Sequence, residues 1–318
     1  MIDLRLPRRL IFVILIALGL IVSLVLNAGF VVQAATSITR DPIIMAAGDI
    51  ACDPQSSNFN DGKGKNGNCQ MMATADVVIK VKPNAVLALG DNQYEKGEFA
   101  NFQASYDPTW GRFKAITRPI PGNHEYYGNN GEGYYQYFGK AAGDRDKGYY
   151  SYNLGNWHLI ALNSNCKAIG GCNVGSPQEK WLKADLKKNP KACTLAYWHH
   201  PRFSSGTHGN NKIVEDLWKD LYDAGAELVL SAHDHSYERF APQGLDEKAD
   251  PQKGIRQIVI GNGGKNLYPF KTIRANSEVR DNESYGVLKV ALHRKSYDWE
   301  LIPIAGDTFT DKGSTPCH

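Results

Sequence analysis

The sequence predicts an α/β fold, a layered sandwich of two central mixed β-sheets flanked by helices, and three observations point to it. Short apolar runs of strand length alternate with helical patterns through the first two-thirds of the chain. The last third turns all-β. No internal repeat or long linker divides the 318 residues, so a single domain is expected beyond the first 34. Composition excludes other classes. With 42% hydrophobic and 22% charged residues the chain is not disordered. A formal charge of +3 offers no basic stripe, so nucleic acid is not expected as the main partner. A mean hydropathy of −0.41 excludes a polytopic membrane protein.

The first element is an export segment. Arg5, Arg8 and Arg9 precede Leu10–Leu26, 17 residues without a charge. Val32-Gln33-Ala34-Ala35 then supplies small residues for cleavage after Ala34. Residues 1–34 are expected to be a signal peptide, or an uncleaved membrane anchor, since 17 apolar residues approach the length of a span. A membrane partner is expected only in the second case. Both place residues 35–318 outside the cytoplasm, secreted or held at the membrane. Cleavage removes three bases and one acid, which leaves 33 against 32 and a formal +1.

Strands are expected at Ile43–Ala47, Ala85–Leu89, Cys193–Trp198 and Leu228–Ser231, each a buried apolar run. Met71–Lys82, Pro177–Lys188 and Lys212–Ala224 show helical spacing, and Ser176-Pro177 forms an N-cap and first-turn pair. Tyr149–Leu154 and Trp157–Leu162 flank Gly155-Asn156, a hairpin signal. Gly254–Ile260, Tyr285–His293 and Tyr297–Ile304 complete the β-rich end. Six cysteines follow the export segment and permit 15 pairings. Local spacing suggests Cys52–Cys69 and Cys166–Cys172, which leaves Cys193–Cys317. The absence of a CxxC pair argues against reading the cysteines as a zinc site.

Five polar segments end or follow the expected strands: Gly48-Asp49, Gly90-Asp91-Asn92-Gln93-Tyr94, Gly122-Asn123-His124-Glu125, Trp198-His199-His200-Pro201 and Ala232-His233-Asp234-His235. Open α/β sheets bind ligands beyond the carboxyl ends of their strands, so these loops are expected to converge. Six of the nine histidines, His124, His199, His200, His208, His233 and His235, lie in or beside them. Each block alone has an ordinary turn or packing explanation. Together they supply carboxylate, amide and imidazole donors, the set for Fe, Mn or Zn.

In this order the five blocks resemble the calcineurin-like metallophosphoesterases, and within them a compact purple acid phosphatase. The resemblance covers Asp49 to His235. Many members place a histidine two residues after the first aspartate. Here that residue is Ala51, and Tyr94 stands three residues after Asp91, as in the purple acid phosphatases. The resemblance implies two metal ions. Asp49, Tyr94 and His235 would hold a ferric ion; Asn123, His199 and His233 would hold a divalent Fe, Zn or Mn; Asp91 would bridge them.

The implied function is a secreted, acid phosphatase-like enzyme, a monomer acting on small phosphorylated substrates. Phosphate monoesters would be hydrolysed by attack of a metal-bound hydroxide. Candidates for the general acid are His124, His208 and His200. Asp234 and Glu125 are placed to orient a histidine. Arg202 and Arg239 are expected either to grip phosphate or to form surface ion pairs. Tyr126, Tyr127, Tyr134, Tyr135 and Trp110 are expected either to line the approach to the site or to pack the loop that carries them. Two other readings stand beside this one. One is a phosphodiesterase or nucleotidase with Zn or Mn in both sites. The other is a non-catalytic exported protein that binds metal or phosphate.

Overall fold

Thirteen strands of the computed structural model assemble into two mixed sheets. The structure describes residues 41–190 and 193–318. The expected export segment lies outside the described residues. Residues Asp41–His318 form one compact unit.

The first sheet has a parallel block of β1 (Ile43–Ala47), β2 (Ala85–Leu89) and β3 (Thr117–Ile120). It continues antiparallel through β11 (Gly286–Leu292), β12 (Ser296–Pro303) and β13 (Lys312–Pro316). The second sheet has β5 (Trp157–Ala161), β6 (Cys193–Tyr197), β7 (Leu228–Ser231) and β9 (Arg256–Ile260) in parallel. Antiparallel strands flank this block: β4 (Tyr150–Leu154) on one side, β8 (Tyr237–Phe240) and β10 (Ser277–Asp281) on the other.

Every residue of β2, β5, β6, β7 and β9 is buried, and β2, β6 and β7 accordingly read as near-continuous apolar runs rather than alternating ones. Each buried Leu, Ile or Val contributes about 1.5–3 kcal/mol relative to exposure. Trp157 of β5 links the sheets. Its indole N–H donates to His293 O at 2.7 Å, and its ring meets Tyr297 of β12 edge-on at 5.7 Å.

Helix α1 (Met71–Val81) packs on β11 and β12, burying Met71, Ala75, Val77 and Val78. Helices α2 (Pro177–Lys188) and α3 (Glu215–Asp223) pack on one another. At the start of α2, Ser176 Oγ accepts from Glu179 N and Glu179 Oε2 accepts from Gly175 N, with Pro177 in the first turn. The expected helix from Lys212 begins as a 3-10 turn, Lys212–Val214, before α3. Among the described residues no helix is long and apolar enough to cross a membrane. All three suggested disulfides are formed: Cys52–Cys69, Cys166–Cys172 and Cys193–Cys317.

Candidate metal centre

The carboxyl ends of the two parallel blocks meet. Gly48 N, just after β1, donates to Ile260 O at the end of β9 (2.9 Å). Asp49 follows β1, Asp91 follows β2, Asn123 follows β3, His199 follows β6, and His233 follows β7. His235 stands just before β8. The first two loops run side by side through Asp49 N to Gly90 O (3.1 Å) and Ile50 N to Asp91 O (3.0 Å). Asp49 (φ 57°), Asp91 (φ 46°) and His233 (φ 70°) are all held in the left-handed region, a strained conformation for side chains with a Cβ. Close approach also needs Gly122: a Cβ there would lie 2.1 Å from Asp91 Oδ1.

Backbone carbonyls set two of the imidazoles. His199 Nδ1 lies 2.9 Å from Leu89 O, and His235 Nδ1 lies 2.8 Å from Asn266 O. A carbonyl only accepts, so each Nδ1 carries the proton and each Nε2 turns a lone pair inward. At His199 that lone pair faces Asp91 Oδ2 (3.3 Å), Asn123 Oδ1 (3.2 Å) and His233 Nδ1 (3.2 Å). At His235 it faces Asp49 Oδ1 (3.3 Å) and the Tyr94 hydroxyl (2.9 Å). The Tyr94 oxygen also lies 2.9 Å from Asp49 Oδ1 and 3.1 Å from Asp91 Oδ2. One phenolic proton can serve only one of these neighbours.

The centre is therefore a buried crowd of acceptors. Asp49, Asp91, Tyr94, His199 and His235 are all at most 3% exposed. Such a set is costly without positive charge among its lone pairs. Burial pulls the His199 imidazole down, yet the charge of Asp91 outweighs it and pushes the ring up to about 9; the lone pair on its Nε2 is therefore exposed only when a cation takes the place of the proton there. Burial and the charges of Asp49 and Asp91 hold the Tyr94 phenol well above its usual range, so phenolate there requires a compensating cation. Donor separations of 2.9–3.3 Å match ligands around an ion with bonds of about 2.0–2.2 Å. The residues fit two metal ions, with Asp91 between the two donor sets.

Outside the donors, each expected histidine has a distinct setting. His124 Nδ1 donates to Glu95 O at 2.7 Å, and its Nε2 lies 3.8 Å from Asp91 Oδ2. His200 turns its Nδ1 to the Ser164 hydroxyl (2.8 Å), and burial with the nearby charge of His199 lowers its ring to about 3. A ring held neutral keeps one N–H but lacks the imidazolium proton that a general acid gives. His208 is exposed, stands 4.2 Å from the His233 ring, and makes no ring hydrogen bond among the described residues. Its loop is held by Asp234, whose Oδ1 accepts from His208 N at 2.8 Å. Glu125 acts otherwise: its carboxylate accepts from Gly122 N (2.7 Å) and Gln93 N (3.1 Å), tying two donor loops together. Burial and the charge of Asp91 push Glu125 up to about 8.

For Arg202 and Arg239 the structure shows the ion-pair alternative. Arg202 is buried on Phe203 and donates to Glu215 Oε2 and Leu245 O, both at 3.1 Å. Arg239 bonds Asp311 (2.6 Å) and Glu278. Buried guanidiniums require such partners, so neither is free to grip phosphate. The aromatic approach to the site also reduces to one residue. Trp110 and Tyr134 are fully buried, Tyr135 is 7% exposed, and Tyr126 bonds Tyr135 and Asn163. Tyr127 alone of the five is open, at 62% exposure.

A further loop was not recognised from sequence. Residues 261–268 follow β9, with Gly263 N donating to Gly48 O (3.0 Å) and Lys265 N to Asp49 O (2.9 Å). Lys265 Nζ stands 4.6 Å over the Tyr94 ring, and Tyr268 stacks on His235 at 3.9 Å. The signal for it was the Gly261-Asn262-Gly263-Gly264 run after a buried strand.

The fold and the paired donor sets define a metallophosphoesterase. The family model described as calcineurin-like phosphoesterase matches residues 44–237, more than half of the chain, and the chain belongs to that family. It is 29% identical to purple acid phosphatase 15 of Arabidopsis thaliana over 60% of this chain and 42% of that protein. It is 28% identical to acid phosphatase type 7 of Homo sapiens over 65% of this chain and 54% of that protein. The chain thus spans about half the length of these curated relatives. Its fold is shared with the purple acid phosphatase PPD1 of yellow lupin seeds, with a TM-score of 0.70, 19% identity, and coverage of 86% of this chain and 53% of that one.

Proposed function

We propose that the chain is an exported two-metal phosphatase that hydrolyses phosphate monoesters. The position of Asp91 carries the reading: one buried carboxylate lies 3.1 Å from Tyr94 in one donor set and 3.3 Å from His199 in the other. Asp49, Tyr94 and His235 would hold a ferric ion, and Asn123, His199 and His233 a divalent Fe, Zn or Mn. Bound there, the pair would draw charge from a phosphate and activate water near neutral pH.

The chain's own groups do the rest. His208 gives a proton to the leaving oxygen as the bond from phosphorus to that oxygen breaks, since its ring is exposed beside His233 and makes no hydrogen bond among the described residues. Asp234 holds the backbone of His208 in place. His124, fixed on Glu95 O, packs its ring against that of Tyr94. Three disulfides support export to an oxidising compartment.

The test is turnover of phenyl phosphate against a diester, bis(p-nitrophenyl) phosphate, by protein loaded with Fe, Zn or Mn. Faster monoester turnover, lost in Asp91→Asn, is expected. A diester preference would replace this reading with a phosphodiesterase. Two bound ions with no turnover of either would replace it with a non-catalytic binding protein.

A further inference from the structure

Tyr127 is the one exposed large aromatic side chain among the described residues, and it touches Asn123 of the candidate metal centre. Water contact over a phenol ring is unfavourable, and single exposed apolar residues are common. This one, however, is held in place. Its hydroxyl accepts from Asn123 Nδ2 at 2.8 Å. Its ring lies 4.8 Å from that of His124, which lies 4.2 Å from that of Tyr94. On the other donor set, Tyr268 lies flat on His235 (interplanar angle 7°) and 6.0 Å from His208. Two aromatic rings thus touch residues of the centre, Tyr268 half-buried against His235 and Tyr127 open beside Asn123.

We infer that Tyr127 forms a subsite for the leaving group and gives the centre a preference for monoesters of aromatic alcohols. This rests on the phosphatase reading above. A phosphate held between the donor sets directs its ester oxygen and leaving group outward. The open face of Tyr127 then offers a planar leaving group a stacking partner. The bond from Asn123 keeps the ring at a fixed distance from the donors, so little ordering is needed when the substrate arrives. The same bond gives Tyr127 a second, separable role: it turns Asn123 so that Oδ1 faces His199.

Two substitutions separate the roles. Tyr127→Ala removes ring and hydroxyl; Tyr127→Phe removes the hydroxyl alone. The readouts are kcat/KM for phenyl phosphate and for glycerol 2-phosphate, and inhibition constants of phenylphosphonate and methylphosphonate, which are not hydrolysed. In Tyr127→Ala the aryl-to-alkyl ratio should fall roughly three- to tenfold in both measurements, the scale of one aromatic contact. In Tyr127→Phe it should stay within about twofold of wild type on the same scale. An unchanged ratio in Tyr127→Ala would overturn the subsite and leave Tyr127 as a prop for Asn123. A wild type that binds both phosphonates but hydrolyses neither ester would refute the phosphatase reading, while the ratio of inhibition constants would still judge Tyr127.

Discussion

Asp234 accepts the backbone N–H of His208 at 2.8 Å, from a carboxylate with no exposure to solvent. Its other oxygen accepts from the Ser204 hydroxyl, and that hydroxyl in turn accepts from Gly206 N at 3.0 Å. A residue between two metal donors, His233 and His235, therefore holds the loop that carries the proposed acid. Asp234→Ala should lower kcat on alkyl monoesters about a hundredfold, the scale of a lost general acid. On p-nitrophenyl phosphate, whose leaving group needs no proton, the loss should be no more than about tenfold on that scale. Metal content measured alongside guards against simple collapse. Equal losses on both substrates would show that Asp234 does not act through His208.

Tyr94 has carboxylates of Asp49 and Asp91 at 2.9 and 3.1 Å and a buried ring. Only a cation makes it a phenolate there. Protein loaded with ferric iron should show a visible charge-transfer band, absent in Tyr94→Phe. Circular dichroism and the melting temperature should show the fold intact. A band that survives the substitution would remove Tyr94 from the donor set.

A carboxylate pair between α2 and α3 sets a pH dependence of stability. Burial, and then the charge of Glu179, pushes Asp220 up to about 6, and its Oδ2 has no hydrogen-bond partner. A carboxyl raised above its unfolded value of about 3.9 binds its proton more tightly in the folded chain. Its contribution is thus complete below pH ~4 and is lost as pH rises through the folded value. Asp220→Asn should raise the melting temperature by a few degrees at pH 7 and leave it unchanged near pH 4. Equal shifts at both pH values would contradict the assignment.

Cys193–Cys317 closes a separation of 124 residues, whereas Cys166–Cys172 closes only 6. On chain-entropy grounds the first contributes about 4–5 kcal/mol and the second about 2. Replacing both cysteines of each pair by Ala should destabilise in that order in urea unfolding. The reverse order would show that native-state contacts outweigh loop closure.

The sequence expectations succeeded where residues speak locally. Strands β1, β2 and β7 and helix α2 fall on the expected residues because a buried run or a capped amphipathic stretch is visible in its own segment. Strand β3 was missed because it contains Pro119, which an edge strand tolerates and a central one does not. Strands β8, β10 and β13 are short and partly polar, and they exist through their neighbours. Arg202 and Arg239 stayed open between phosphate contact and ion pair because their carboxylate partners lie 13 and 72 residues away in sequence. No motif announces such pairs.

By itself the sequence determined which donor types stand at the strand ends, in what order, and which cysteines are near one another. These properties belong to single residues and short spacings. Only the tertiary structure decided how the donors face. Leu89 O and Asn266 O choose the protonated nitrogens of His199 and His235, and Asp234 holds His208 at the rim. Packing likewise hides Trp110 and Tyr134 and leaves Tyr127 open. Proton position, burial and ion pairing depend on which distant groups share one desolvated space, and that is set when the two sheets meet.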